Sequence, residues 1–284
     1  MKLLVHLHIY YYNQIPYFIK KLSNISGVDW ELFITEIKHD KQIEKSFNSL
    51  HTKIHYMETE NIGYDIWPFI AVIKSVNLDD YDLILKLHTK SWKESRDKIN
   101  GFRLPGFKWR NELVNSLLHD RNHFLNLINM FQQNNRLGLV CSDWLYKKQT
   151  NSACDDLPTL YRESTRLGLY NLSQYFCAGT MFLARACLYK FLQTNNISPD
   201  LFYEKAKSGS YGSMSHTYER ILTMIPKNYS YTVKTVKTNI FRSHYIKLTK
   251  MVNLILAWTF SISRIGKDRI KYITILGIRF RLSK

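Results

Sequence analysis

Cysteine is scarce: the 284 residues hold only Cys141, Cys154, Cys177 and Cys187, none at C-x-x-C spacing. That spacing offers neither a zinc knuckle nor a dithiol redox pair, and free thiols packed as small apolar side chains suit a reducing compartment. Long apolar runs are lacking too. The most hydrophobic stretch, Met251 to Phe260, falls well short of the roughly 20 residues a spanning helix needs. The start, Met1 to His8, is too brief and too interrupted by histidine for a secretory signal, and no small-residue cleavage site follows. The chain is therefore expected in the cytoplasm. Low-complexity segments and internal repeats are also absent, and a composition 45% hydrophobic and 22% charged is that of an ordinary globular protein.

Acid is sparse where base is plentiful. Lys and Arg total 40 against 23 Asp and Glu, a formal charge of +17, which attracts nucleic acid, anionic lipid or a nucleotide diphosphate. From Lys237 to Lys284 eleven Lys or Arg face one acid, Asp268. The charge therefore divides the chain into a mildly basic body, residues 1–235, and a basic, partly apolar tail, residues 236–284. In the tail Trp258 and Phe260 stand among Lys247, Lys250, Arg264, Lys267 and Arg269, the pattern of an interfacial helix on anionic lipid. A terminal helix packed on the core, with a solvated basic flank, is the alternative. Tyr245, Trp258 and Tyr272 near this charge form no recognised RNA or DNA motif, so nucleic acid is not the expected partner.

Periodicity orders the body. Leu3 to Tyr12 alternates as a strand, Ile15 to Ile25 recurs at helical spacing, and Trp30 to Thr35 reads as a second strand. A helix near Asp40 to Leu50, a strand near Lys53 to Met57, a helix from Asp65 to Val76 and a strand from Asp82 to His88 continue the alternation. Two helices fill Trp109 to Gln133, with strands at Leu137 to Cys141 and Gly179 to Arg185, a helix through Leu192 and another from Ser213 to Met224. Alternation of this kind implies an α/β fold with a mostly parallel sheet flanked by helices. Trp144 to Ser173 shows weak periodicity and is expected to be a mobile loop or lid.

Ligands of open α/β sheets bind beyond the carboxyl ends of strands, which singles out three places. In Asn61 to Phe69, Gly63 permits a tight turn and Asp65 either caps the next helix or faces a ligand. In Lys86 to Lys90, strand alternation puts Lys86, His88 and Lys90 on one face, as a cationic receptor for a pyrophosphate or as a solvated edge. In Ser213 to Arg220, His216 and Glu219 share a helix face, placed to deprotonate a hydroxyl or to form a surface pair.

Taken together these segments resemble the rhamnan synthesis F family of polysaccharide glycosyltransferases. Its N-x-G-x-D-hydrophobic-x-P-F turn matches Asn61 to Phe69, its K-L-H-T-K strand end Lys86 to Lys90, its A-G-T-M-F-W-A-R Ala178 to Arg185, and its H-x-x-E-R His216 to Arg220. Tyr64 stands where the family commonly has Arg, and Leu183 replaces a Trp. The resemblance implies a GT-A-like, Rossmann-like domain and an inverting hexosyltransferase that passes rhamnose or a similar sugar from a nucleotide-sugar donor to a lipid-linked or polysaccharide acceptor. O-antigen, capsule or rhamnan is the implied product, made by a peripheral protein on the inner face of a bacterial plasma membrane. It implies donor binding by Asn61, Gly63, Asp65, Lys86, His88, Lys90 and Arg220, and an acceptor or sugar pocket at Asp143, Gly179 and Thr180. Glu219 is the implied base, with His216 second. Where many GT-A enzymes carry a metal-binding D-x-D, this chain has Lys86 to Lys90, so no obligatory cofactor is expected and Mg²⁺ or Mn²⁺ remains optional. A sugar-phosphate or glycerol-phosphate transferase and a non-catalytic assembly scaffold are the alternatives.

Overall fold

Burial on both faces makes a strand central, and the sequence Leu-Leu-Val-His-Leu-His-Ile has no solvent-facing register. It forms β1 (Lys2–Ile9), in which Leu3 to Ile9 are all buried. The computed structural model describes residues 1–91, 95–97, 102–104, 106–149, 156–203, 214–238, 248, 251–252, 254–265 and 270–282. After β1 come α1 (Ile15–Leu22), β2 (Asp29–Glu36), α2 (Lys41–Phe47), β3 (Lys53–Glu58), α3 (Ile66–Ser75) and β4 (Leu83–His88). The short strands β5 (Ser95–Asp97) and β6 (Phe102–Leu104) precede α4 (Gly106–Leu118), α5 (Arg121–Gln133) and β7 (Leu137–Ser142). The remainder of the body is β8 (Tyr146–Lys148), α6 (Asp156–Arg166), β9 (Tyr175–Cys177), β10 (Phe182–Arg185), α7 (Lys190–Thr194), α8 (Met214–Met224) and β11 (Thr232–Val236).

Seven strands form one sheet in the order β11-β7-β10-β4-β1-β2-β3. All neighbours pair in parallel except β10, which runs antiparallel to both β4 and β7. The chain builds outward from β1 to β3, then returns to lay β4 on the other side of β1. That reversal opens a crevice at the carboxyl ends of β1 and β4. Because β10 is reversed, its first residue, Phe182, sits opposite Lys86, and the loop before it is delivered to the same end of the sheet.

Several elements differ from the sequence reading. Trp144 to Ser173 is not a continuous loop: its described part contains β8 and α6. Helix α6 buries Leu160, Glu163 and Ser164, so its inward stripe is mostly polar and hydrophobic periodicity could not reveal it. Glu163 instead accepts hydrogen bonds from Tyr218 Oη (2.6 Å) and from Arg166 Nη2 (2.5 Å), holding α6 to α8. Cys141 and Cys177 are buried, Cys187 is exposed against expectation, and Cys154 lies outside the described residues.

The body forms one compact unit, Met1–Arg96 with Arg103–Thr238, and the second comprises Asp97–Phe102 with Asn239–Lys284. In the second unit the expected helix occupies residues 251–252 and 254–259, and Lys247, Lys250, Lys267, Arg269 and Tyr245 lie outside the described residues. Three strands follow that periodicity had not suggested, β12 (Phe260–Ile265), β13 (Ile270–Ile275) and β14 (Ile278–Arg281), as an antiparallel meander. Among the described residues no helix is long and apolar enough to cross a membrane.

Candidate active site

Two strained turns meet at the carboxyl end of β4. In the first, Gly63 (φ 66°) and Tyr64 (φ 55°) both adopt left-handed backbone, which a bulky residue such as tyrosine rarely does. A Cβ on Gly63 would also meet Trp67 Cβ at 2.7 Å. The second turn repeats the device with Gly179 (φ 91°) and Thr180 (φ 43°). What the two hold between them is Asp65.

Asp65 occupies the N-cap position of α3 but makes no capping hydrogen bond, which removes the plain helix-cap reading. Its Oδ2 instead receives Lys86 Nζ at 2.5 Å and Thr180 Oγ1 at 2.8 Å. His88 Nδ1 lies 3.1 Å from the same oxygen, too poorly aligned for a hydrogen bond. Burial alone would raise the Asp65 carboxyl, but the His88 ring when acid protonates it, the Lys86 ammonium and the hydrogen bonds from Lys86 and Thr180 outweigh it and hold the group well below the carboxylate range.

The row of three cations anticipated at the strand end is therefore rearranged. Lys86 is fully buried, also donates to the Thr180 carbonyl (3.2 Å), and is neutralised by Asp65. Burial, reinforced by the nearby Lys86 charge, drives His88 well below its ordinary value and makes it a neutral imidazole near pH 7. Two more imidazoles continue the layer on β1: His6 Nε2 and His8 Nδ1 lie 2.9 and 3.0 Å from Thr35 Oγ1. Burial lowers both, His8 to about 4.

Lys90 lies just past the strand, with its ammonium 4.6 Å from the Trp109 ring centroid. Burial pulls it below the ordinary lysine value, while Asp65 and then Glu219 attract its charge. Gln14 Nε2 donates to the Lys90 carbonyl at 2.6 Å, and Arg110 Nη1 donates to Gln14 Oε1 at 3.1 Å, fixing the segment. Lys147 approaches the same indole at 5.6 Å, so two ammonium groups share Trp109. Sequence reading missed Trp109 and Lys147 because only the fold brings α4 and β8 beside Lys90.

Glu219 Oε1 accepts the Gly179 N–H at 2.8 Å, tying α8 to the second turn. His216 presents its ring 6.2 Å from Tyr64, across from the first turn. Asp65, Lys86, His88, Gly179, Thr180 and Glu219 are thus linked, whereas Asn61 stands exposed at the head of its turn. Two predicted residues are committed elsewhere. Arg220 donates to Gln149 Oε1 (2.7 Å) and to the His216 carbonyl (2.9 Å), and Asp143 accepts from Thr235 Oγ1 (2.7 Å), fastening β7 to β11. Among the described residues no group of three His, Cys, Asp or Glu side chains is placed to hold a metal ion.

A mostly parallel sheet flanked by helices, reversing direction at β1 and β4, defines the class of open-sheet α/β proteins. The chain belongs to the rhamnan synthesis protein F family, which it matches over residues 1–231. It is similar to the uncharacterized protein WxcX of Xanthomonas campestris pv. campestris (strain B100), 26% identical over 180 residues, a match covering 63% of this chain and 24% of WxcX. The chain thus corresponds to a minor part of that longer relative. Among solved structures it is similar to S. aureus TarS 1–349 in complex with UDP-GlcNAc, at TM-score 0.39 and 11% identity over 78% of this chain and 54% of that one. It is also similar to glucosyl-3-phosphoglycerate synthase from Mycobacterium tuberculosis in complex with Mn²⁺, UDP-glucose and phosphoglyceric acid, at TM-score 0.33 and 11% identity over 98% and 88%.

Proposed function

We propose that the chain is a glycosyltransferase of polysaccharide assembly, moving rhamnose or a similar hexose from a nucleotide-sugar donor to a lipid-linked or polysaccharide acceptor. The observation that carries this reading is the convergence of the two strained turns on Asp65, with Lys90 and Glu219 alongside. In the proposed reaction Glu219 takes the proton of the acceptor hydroxyl as the oxygen attacks the anomeric carbon. The bond from that carbon to the diphosphate oxygen breaks, and the nucleoside diphosphate leaves with the electron pair. A single displacement inverts the anomeric centre. Lys90 and Lys147, packed on Trp109, meet the charge developing on the leaving group. Asp65 and Lys86 act as the rigid floor of the site rather than as phosphate ligands, and His216, beside Tyr64, is the second candidate base.

The described residues at the end of β4 do not fit an obligatory divalent ion. Among them Asp65 already serves Lys86 and Thr180, Glu219 accepts the Gly179 N–H, and His88 offers a single nitrogen. Transfer that persists in chelator would agree with this donor set; activity that vanishes in chelator and returns with Mg²⁺ or Mn²⁺ would overturn the metal-independent part.

A thermal-shift screen with dTDP-, UDP-, GDP- and CMP-sugars tests the reading as a whole. One nucleotide sugar is expected to raise the melting temperature, since ligand at 100 times Kd stabilises the native state by about 2.7 kcal/mol. No response from any donor, together with no transfer product, rejects it.

A further inference from the structure

In the second unit strict alternation separates two chemistries. Phe260, Ile262, Ile273, Ile275, Ile278 and Phe280 alternate with Ser261, Ser263, Tyr272, Thr274, Arg279 and Arg281. The ladder assembles the first set into one face, pairing Phe260 with Ile275 and Ile275 with Ile278, then Ile262 with Ile273 and Ile273 with Phe280. Five of these six side chains are 45% to 63% exposed. The hairpin turn at Leu276 and Gly277 is bonded to the preceding helix, Gly277 N–H to the Trp258 carbonyl (2.7 Å) and Leu276 N–H to that of Thr259 (3.0 Å). Exposed Trp258 and Leu276 therefore extend the apolar edge.

An apolar sheet face this open marks an interaction surface. Charge selects its occupant. Eleven Lys or Arg accompany it between residues 237 and 284 against Asp268 alone. A second copy on the same face would bring two such cationic segments together, whereas anionic headgroups would neutralise them. We infer that the Phe260–Ile262–Ile273–Ile275–Ile278–Phe280 face of the C-terminal meander is a monotopic docking face for an anionic lipid bilayer. The apolar side chains enter the acyl boundary, Trp258 sits at the interface, Lys271 on the same face of β13 as Ile273 meets the headgroups, and the net positive charge of the segment adds longer-range attraction. This holds whether or not the body is a transferase.

Flotation of the full chain with vesicles tests it, using phosphatidylcholine alone or with roughly 30% phosphatidylglycerol. Binding is expected at least about tenfold tighter on the anionic vesicles and weaker as salt rises. The double variant Ile262→Thr, Ile278→Thr keeps β-branched residues in the strands and should lose about tenfold in binding, while Ser261→Thr on the opposite face should not. Wild-type protein that ignores anionic vesicles overturns the inference, as do Thr variants that bind like wild type. A solution dimer of wild type that the double variant converts to monomer assigns the face to a second copy and also overturns it. Should the Thr variants lose the meander, acyl-chain-brominated lipid decides with the unmutated sheet. Tryptophan quenching that disappears in Trp258→Phe supports docking, and quenching unchanged by that substitution refutes it.

Discussion

Lys86 and Asp65, 21 positions apart in sequence, form an ion pair of 2.5 Å in which the lysine is wholly buried and Thr180 supplies a second hydrogen bond to the same carboxylate oxygen. A buried charge of this kind is tolerated only with its partner, so the pair makes α3, β4 and the loop before β10 mutually dependent.

Asp65→Asn should therefore destabilise the body by about 3–5 kcal/mol, the effect of leaving a buried charge unpaired. The double variant Asp65→Asn, Lys86→Met should recover most of that stability without recovering transfer. Urea unfolding of the three proteins separates the outcomes; equal stability of the single and double variants would contradict the pairing.

Glycine is required at position 179 for two reasons, at position 168 for one. A Cβ at Gly179 would meet Leu113 Cδ1 at 2.8 Å and Trp109 Nε1 at 2.9 Å, whereas at Gly168 (φ 73°) it would meet nothing within 4 Å. Gly168→Ala is expected to cost about 1 kcal/mol from its backbone alone, and Gly179→Ala about 1–3 kcal/mol more from overpacking, with loss of transfer. Thermal unfolding and initial rates measured on the pair check both expectations.

Glu219→Gln keeps an oxygen to accept the Gly179 N–H, so the fold should survive while kcat falls about 10²–10⁴-fold. Lys90→Met should lower kcat by about 10²–10³-fold, as expected for losing a donor to developing negative charge. Turnover of Glu219→Gln near the wild-type rate would transfer the base role to His216 or end the proposal.

Acid should loosen the body before its carboxylates titrate. Burial holds His8 at about 4 in the folded chain against an ordinary 6.5, so between these values the unfolded state binds more protons. Stability is full above pH 6.5 and declines towards pH 4, by about 3 kcal/mol from His8 alone. His6 and His88, also lowered chiefly by burial, add to the slope. Urea midpoints measured from pH 7 to pH 4 should fall, and less steeply in His8→Gln; a flat profile would contradict the burial of these rings.

The sequence by itself determined the alternation of β1 to β4 with their helices and the turn at Gly63, because periodicity and backbone requirements are local; it read Gly179 into a strand that in the structure begins only at Phe182. It also singled out Lys86, His88 and Asp65 as candidates. Tertiary structure decided how they are arranged. Only the reversed direction of β10 brings Thr180 to Asp65, and only long-range burial turns Lys86 into a counter-ion and His88 into a neutral ring, leaving Lys90 beside a tryptophan and a lysine no motif had named. Helix α6 and the C-terminal meander escaped the sequence reading for complementary reasons. The inward stripe of one is partly polar, and the apolar face of the other is turned outward, so in both hydrophobicity does not report burial within the chain.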